Sequence, residues 1–478
     1  MTHAKKNLYD LCQCRNLKER PSKFKLDLAE HRVLPHESVM ATTEQVLDTK
    51  LTVDPPPGWV DRLRAEARRA VGWTTTALGF TIPIWALADG ILLTLLIVCW
   101  TVGGEWRQRV RRITANPVAL AALLLFGWML VGSLWGMGSM EERMLAVKKY
   151  ADLLLIPLLI SMVITTQERN RAIFALAISL AAILTLSLVV GWGVLPAGGA
   201  MNCGPSSPCI VKLPDSCDIS NPCIFKKHTT HNVLMAFGVL LFGVLAWKSS
   251  HKCIRWAWYG ASCLAVGNVL LMVQGRTGYA VLAGLALVAF YTFFGRRGIL
   301  AAIVVLGLSF SAAYQVSFSF HTRVNLAVSA VTQWNPQVAV KDDPIGWRLE
   351  YFYHTAEIIQ DHPLMGVGTG GFVQAYRARV EQAGLDVPPH PHNQYLFTMA
   401  QVGIVGLCLL LWSFVQQWRS VALIEGDAYR LLARGLVITI AIGSLFQPML
   451  NDHTEKLFFC WLSGLLYSGT DRLPETRA

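Results

Sequence analysis

Two arginines are the residues in this sequence best suited to binding an anionic group. Arg276 lies in a short turn, QGRTGY, between two apolar runs, and Arg348 opens a charged helical segment. An arginine near membrane depth is costly, so it usually pairs with an anion or faces a polar cavity. Two guanidinium groups in one cavity could neutralise a pyrophosphate without a metal, because each binds phosphate oxygens in a bidentate manner. The alternatives are interfacial snorkelling of Arg276 and a surface ion pair of Arg348 with Glu350 or Asp343.

His392 is the residue that could move a proton. It lies in the stretch His390-Pro391-His392-Asn393, directly before an apolar run. An imidazole with a pKa of about 6.5 at the membrane surface can accept the proton of a sugar hydroxyl group. A capping or packing histidine is the alternative. A metal held by His390 and His392 is disfavoured because no third ligand lies at metal-site spacing, and we predict neither a metal nor a cofactor.

Four further residues are candidates for a supporting role: Asn393, His390, Lys149 and His453. Lys149 either extends an anion site or snorkels to the interface, and the sequence favours snorkelling. Asp452-His453 and Asp89 are polar groups at membrane depth, where transporters use such groups as proton relays. A solvated turn is the favoured interpretation for both.

The glycine-rich stretch GVGTGG at 366–371 superficially matches a nucleotide-binding loop. It follows a predicted helix rather than a strand and has no βαβ context, so we reject a nucleotide site. A flexible turn is the structural interpretation. A weaker hypothesis is that the backbone amides of this turn hold a phosphate.

The composition shows what kind of scaffold must position these residues. The chain has 478 residues, a net charge of +11, 53% hydrophobic residues and only 15% charged residues. These values exclude a soluble globular enzyme, a disordered chain and a disulfide-rich mini-protein. The lysines and arginines lie between apolar runs and form no patch with interleaved aromatic residues, so a nucleic-acid partner is excluded. Apolar runs of about 20 residues predict an all-α polytopic membrane protein.

Twelve apolar runs predict about twelve transmembrane helices in a domain at 71–470. The first pair is the least defined, because Asp89-Gly90 either forms a tight turn or lies inside one tilted helix. Basic connections between the runs place both termini in the cytoplasm. We predict a cytoplasmic and largely disordered N-terminal segment at 1–70, and a cytoplasmic tail at 471–478.

Two long segments are then predicted outside, at 194–230 and 318–392. The first contains four cysteines, which indicate disulfides in an oxidising compartment such as the periplasm: Cys203, Cys209, Cys217 and Cys223. Three pairings are possible, and free thiols or a metal site are the alternatives.

The second external segment is too long for a structureless connection and too charged to lie in the bilayer. Helical spacing in WRLEYFYHTAEIIQ predicts a helix at 347–360 that ends before His362-Pro363. A second helix is predicted from Phe372 to Ala383. Together they form a mostly helical periplasmic cap between helices 9 and 10.

Four stretches of this chain resemble the O-antigen ligase and O-antigen polymerase superfamily of bacterial membrane proteins. They are QGRTGY; AEIIQDHPLMGVGTGGF, which follows Arg348; HPHNQYLFTMAQVGIVGL with His392 and Asn393; and DHTEKLFFCWLSGLLYS. The resemblance covers about residues 270–470, and the predicted topology extends it loosely to residue 70.

The resemblance implies a GT-C-like fold and a metal-independent, inverting glycosyl transfer at the periplasmic face. Its donor is a glycan linked to undecaprenyl pyrophosphate. Arg276 and Arg348 match the pyrophosphate-binding arginines of the family, and His392 matches its catalytic histidine. We expect an O-antigen ligase in lipopolysaccharide biosynthesis, with lipid A-core oligosaccharide as acceptor, because the chain ends after the last helix without a larger external domain. The alternatives are an O-antigen polymerase, a protein O-oligosaccharyltransferase, or a transporter or flippase of lipid-linked sugars.

Overall fold

The computed structural model describes residues 58–162, 164–195, 197–198, 211–214, 217–316, 318–335, 344–383 and 385–470. These residues form sixteen α-helices and one pair of two-residue strands, Ala197–Gly198 and Val211–Lys212. The helices are α1 (Trp59–Thr81), α2 (Ala86–Val102), α3 (Trp106–Ala115), α4 (Pro117–Gly132), α5 (Met140–Tyr150), α6 (Leu155–Ile160), α7 (Thr166–Gly191), α8 (His228–Lys248), α9 (Lys252–Gly267), α10 (Arg276–Val316), α11 (Phe318–Gln333), α12 (Pro344–Asp361), α13 (Phe372–Val380), α14 (Gln394–Ser420), α15 (Asp427–Gly443) and α16 (His453–Tyr467).

Five helices in the described ranges are long and apolar enough to cross a membrane: Pro117–Trp135, Thr166–Gly191, His228–Lys248, Arg276–Ala312 and Gln394–Leu423. A sixth span is possible if α2 and α3, which are bent by 115°, count as one. The protein is therefore a helical, polytopic membrane protein, as predicted. Other predicted spans coincide with shorter helices, such as α15 with 17 residues and α16 with 15.

The apolar runs at 277–294 and 299–317 lie in the two halves of α10. Gly295 separates these halves with φ 60° and ψ −144°, values that only glycine adopts readily. A Cβ atom on Gly298 would collide with the carbonyl oxygen of Phe290. The chain therefore bends sharply beside Arg296 and Arg297, between the two predicted runs.

The start of the helical bundle differs from the prediction in two ways. Helix α1 already begins at Trp59, so the predicted boundary at residue 70 falls inside a helix. The break between the first two helices lies at 82–85 rather than at Asp89-Gly90, because Pro83 cannot continue a helix. Asp89 lies in the first turn of α2, fully buried, and accepts a hydrogen bond from Thr81 Oγ1 at 2.7 Å. A solvated turn at Asp89 was the wrong interpretation.

Helix α16 is the centre of the bundle, since every residue from Thr454 to Tyr467 is buried. The Trp461 indole donates to the carbonyl oxygen of Thr75 at 3.0 Å. Lys456 forms an ion pair with Asp152 at 3.1 Å, which compensates the charge of a side chain that is only 3% exposed. Buried polar groups of this helix thus have partners on neighbouring segments.

The two ends of the bundle can be told apart by the residues that lie there. At one end Arg169 donates to the carbonyl oxygen of Ser468 at 2.8 Å, and Lys248 lies 4.6 Å from the centre of the Tyr429 ring. These contacts join the start of α7 to the end of α16, and the end of α8 to the start of α15. Helices α8, α10, α14 and α16 begin at the opposite end, where Arg276 and His392 lie.

The segment between α11 and α14 contains the two predicted helices. Helix α12 covers the first, and α13 with a 3₁₀ turn at Glu381–Ala383 covers the second. They share a small apolar core, in which the rings of Phe372 and Phe397 pack edge to face at 5.3 Å. Because Phe397 belongs to α14, this core ties the helical pair to the residues that follow His392.

The glycine-rich stretch at 366–371 is a buried packing element and not a flexible turn. The Thr369 amide donates to the carbonyl oxygen of Gly132, and the Gly370 amide donates to Gln401 Oε1, both at 3.0 Å. The amides of Val367 and Gly371 donate to Ala400 and Gly368. The Gly366 amide donates to the carbonyl oxygen of His362. Five of the six amides of the stretch are therefore engaged within the protein, so the hypothesis that they hold a phosphate is wrong.

We predict that Gly368→Ala destabilises the protein more than Gly193→Ala. Both glycines have positive φ, 81° and 69°, so both substitutions carry a strain of about 1–2 kcal/mol. A Cβ atom at Gly368 would also collide with the backbone of Gly136, whereas nothing lies within 4 Å at Gly193. Free energies of unfolding from denaturant titration in detergent measure the difference. Equal losses would contradict the packing role of the stretch.

Candidate functional site

Arg276 is the first residue of α10, and the turn that precedes it is fixed by two asparagines. Asn232 Nδ2, buried in α8, donates to the carbonyl oxygens of Val273 and Gly275 at 3.2 and 2.8 Å. Asn221 Oδ1 accepts from the Gln274 amide at 2.8 Å. The Arg276 side chain itself is exposed. The backbone is therefore held while the guanidinium group remains accessible.

Asn221 belongs to a short loop that is closed by a disulfide between Cys217 and Cys223. Inside the loop, Asp218 and Asn221 exchange backbone hydrogen bonds at 3.2 and 3.1 Å. Two of the four predicted disulfide cysteines are thus paired with each other, and Cys203 and Cys209 lie outside the described residues. The disulfide loop contacts the turn of Arg276 through Asn221.

Arg348 lies in the first turns of α12, half-buried, next to Arg276. Burial lowers the pKa of Arg348, and the positive charge of Arg276 lowers it further. The charge of Arg276 therefore acts on Arg348, although 71 residues separate the two in the chain. Two like charges in a partly buried site repel each other, and an anion between them would relieve that repulsion.

His392 completes the cluster. Its ring stacks on that of Tyr351 with centroids 6.0 Å apart, and its Nδ1 lies 3.3 Å from Gln447 Oε1. Its backbone has φ 55°, a strained value of the kind found at functional sites. Burial lowers the pKa of His392, and the charge of Arg348 lowers it further, while the bond to Gln447 opposes the shift. The imidazole is consequently neutral at pH 7 and able to accept a proton.

Of the four supporting candidates, His390 and Asn393 adjoin His392. His390 Nδ1 accepts from the His392 amide at 3.3 Å, and burial together with the charges of His392 and Lys149 lowers the pKa of His390 to about 4. Asn393 caps α14 by accepting from the Leu396 amide at 3.0 Å. Because the charge of Lys149 contributes to the lowered pKa of His390, Lys149 belongs to the electrostatic surroundings of the histidine pair.

His453 is engaged elsewhere. Its Nε2 lies 3.4 Å from Oδ2 of buried Asp89, so these two predicted polar groups join the start of α16 to the first turn of α2. The neighbouring Asp452 is mostly withdrawn from solvent, and its burial raises the pKa of its carboxyl group. In the described part of the chain, no group of three or more His, Cys, Asp or Glu side chains is arranged to hold a metal ion.

Two residues of the cluster were not predicted from the sequence. Asn232 is a lone amide in an apolar run, which is itself a signal, because a polar side chain in a membrane helix usually has a partner. Gln447 lies in a loop between two apolar runs, where glutamine is ordinary, and nothing in its neighbourhood distinguishes it. Only the fold reveals that it contacts His392.

An apolar cavity of about 770 Å³ begins one helical turn from Arg276. It is lined by α8, α9 and both halves of α10. Tyr279 lines it near Arg276, and Trp247 and Phe293 line it near the basic end of the bundle. The cavity therefore follows most of the length of these helices and could hold an extended hydrocarbon chain that starts at the arginine cluster.

We predict that Arg348→Gln raises the pKa of His392. The substitution removes a positive charge that disfavours protonation, so the imidazole should hold its proton to a higher pH. Titration of histidine-labelled protein by NMR in detergent measures this shift. The matched control is Arg379→Gln, because Arg379 pairs with Asp361 at the other end of α12. An unchanged pKa of His392 in Arg348→Gln would show that the charge of Arg348 does not act on His392, which would contradict the prediction.

Residues 261–411 match a family model that is described as O-antigen ligase. The matched segment contains Arg276, Arg348 and His392, whereas Asn221, Asn232 and Gln447 lie outside it. No curated protein matches the chain.

Proposed function

We propose that this chain, which belongs to the O-antigen ligase superfamily, is a glycosyltransferase that joins O-antigen polysaccharide to lipid A-core oligosaccharide. The donor in this proposal is the polysaccharide linked to undecaprenyl pyrophosphate. The observation that carries the proposal is the juxtaposition of Arg276, Arg348 and a neutral His392 at one end of the bundle. The site residues, the donor and the acceptor are all part of the proposal.

The two arginines suit the leaving group of such a reaction. When the bond between the anomeric carbon and the pyrophosphate oxygen breaks, negative charge develops on that oxygen. Preorganised cations stabilise this charge most strongly where water is partly excluded. Arg276 and Arg348 would bind the diphosphate, and the anion would in turn remove the repulsion between them.

His392 suits the activation of the acceptor. In the proposed step its free ring nitrogen takes the proton of an acceptor hydroxyl group while that oxygen forms the new bond to the anomeric carbon. Attack from the side opposite to the leaving pyrophosphate inverts the configuration of that carbon. No nucleotide or metal takes part in this scheme, because the glycan is already activated by its lipid carrier.

The location of the site supports a lipid-linked donor. The basic residues of the short loops gather at the other end of the bundle, so the positive-inside rule favours the periplasmic face for Arg276 and His392. The proposal is a bacterial inner-membrane protein with about twelve spans, in which α12 and α13 form a cap over the site. The apolar cavity beside Arg276 would hold the polyprenyl chain of the donor.

The rival functions predict different products. An O-antigen polymerase of the same superfamily would join two lipid-linked glycans, and a protein O-oligosaccharyltransferase would modify a polypeptide. A flippase of lipid-linked sugars would form no covalent product in detergent, where there are no two compartments. Purified protein with defined donor and lipid A-core acceptor, in buffer that contains EDTA, therefore separates these functions.

We predict that His392→Ala lowers the transfer rate by about 10²–10⁴-fold, the usual contribution of a general base. The rate is measured as lipid A-core that gains the polysaccharide, resolved by gel electrophoresis. His251→Ala is the matched control, because His251 is an exposed histidine at the start of α9, near the basic end. Unchanged transfer by His392→Ala would remove His392 from the mechanism.

We predict that Arg276→Ala reduces transfer by about 10²–10³-fold, the usual loss when one donor to a developing oxyanion is removed. Arg276→Lys should recover little activity, because an ammonium group cannot make the bidentate contact. Arg111→Ala, at an exposed position of α3, is the control. Full activity of Arg276→Lys would show that charge alone suffices and would contradict bidentate binding.

A further inference from the structure

Gln447 is the neighbour of His392 whose role the proposed transfer leaves open. It lies in the loop between α15 and α16, with 9% of its surface exposed. Its Oε1 atom is 3.3 Å from Nδ1 of His392. The side chain thus contacts one of the two ring nitrogens of His392.

The chemistry of this contact selects one form of the imidazole. An amide oxygen only accepts hydrogen bonds, so Nδ1 must carry the hydrogen when it bonds to Oε1. A neutral imidazole has one hydrogen, and Nε2 is then left with its lone pair. In the other form Nε2 would carry the hydrogen and could not accept a proton from a hydroxyl group.

We propose that Gln447 is a positioning residue that holds His392 with hydrogen on Nδ1 and leaves Nε2 as the base. This proposal rests on the proposed glycosyl transfer and assigns its proton acceptor to one atom. Gln447 touches neither substrate nor the reacting atoms in this role. It acts through the orientation and the proton arrangement of His392.

The backbone around Gln447 is built to keep this contact. The Gln394 amide donates to the carbonyl oxygen of Ser444 at 2.8 Å, and Asn393 Nδ2 donates to that of Leu445 at 3.2 Å. The Leu450 amide returns a bond to Gln394 Oε1 at 2.9 Å. Three hydrogen bonds therefore join the loop that contains Gln447 to the residues that directly follow His392. Loops joined in this way preserve the distance between the two side chains.

Several other groups face His392 and contribute to its titration. Arg348 and Tyr351 face it from α12, and His390 faces it from its own loop. Lys149 and Lys227 act on His390 behind it. None of these groups accepts a hydrogen bond from Nδ1 in the described structure, so Gln447 is the residue to vary.

The test compares Gln447→Glu with Gln447→Leu in the transfer assay over a range of pH. A carboxylate on Nδ1 favours the imidazolium ion, so Glu should raise the pKa of His392 and move the loss of kcat at low pH to higher pH. Leu removes a bond that favours the imidazolium ion, so the pH profile should move in the opposite direction. Leu should also lower kcat by about 10²-fold, at the lower end of what a base contributes, with KM unchanged.

Gln374→Leu is the matched control, because Gln374 is an exposed glutamine of α13 that accepts a hydrogen bond from Arg377. Its pH profile should match that of the wild type. If Glu and Leu at position 447 both keep the wild-type pH profile, the proposal is overturned. A lower kcat together with a changed KM, without a shift of the pH profile of kcat, would assign Gln447 a purely structural role. That result would also overturn the proposal.

A second measurement needs no substrate. The ¹⁵N NMR shifts of histidine-labelled protein distinguish hydrogen on Nδ1 from hydrogen on Nε2. The Nδ1 form should dominate for His392 in the wild type and be lost in Gln447→Leu, and an Nε2 form in the wild type would contradict the proposal. If the wild type transfers no glycan in the assay, the proposed function fails while this measurement still decides the role of Gln447.

Discussion

The repulsion between two guanidinium groups in a partly buried site is the constraint on which the rest of this structure depends. Arg276 and Arg348 come from helices far apart in the chain, and the pKa of Arg348 is lowered by burial and by its neighbour. Such an arrangement is unfavourable unless the fold imposes it. The protein holds the turn of Arg276 with buried Asn232 and with Asn221 of the disulfide-closed loop, in a bundle whose central helix α16 is buried from Thr454 to Tyr467. In the proposed function, the ligand of these two arginines is an anion with several oxygens.

Burial and the charge of Arg348 together favour the neutral form of the histidine. Both lower the pKa of His392, so the imidazolium form is disfavoured where the proposed reaction needs a base. The positive charge of Arg348 thus contributes to both halves of the proposed reaction, the stabilisation of the leaving group and the acceptance of the proton. The bond to Gln447 then determines which nitrogen is free. Electrostatic repulsion, partial burial and one hydrogen bond together define the site.

Residue type and context were enough to predict the helical membrane protein and both helices of the segment before α14. Arg276, Arg348 and His392 were also named from the sequence, and their role in a site stays a proposal. Their convergence could not be derived from spacing, because it depends on how α8, α10, α12 and α14 pack. For the glycine-rich stretch at 366–371, the sequence-based prediction was wrong. Its composition predicted flexibility, but its amides and close contacts serve packing against residues 129–143. The prediction of a solvated turn at Asp89 was also wrong, because its partner His453 lies 364 residues away in the chain and cannot be recognised from the local sequence.

The most direct test of the central claim is a double-mutant cycle on donor binding. Affinities of wild type, Arg276→Ala, Arg348→Ala and the double variant for undecaprenyl pyrophosphate can be measured by calorimetry in detergent. If both arginines bind one diphosphate, their effects on the binding free energy should deviate from additivity by more than about 0.5 kcal/mol. Strictly additive losses, or unchanged affinity in either single variant, would contradict the shared site.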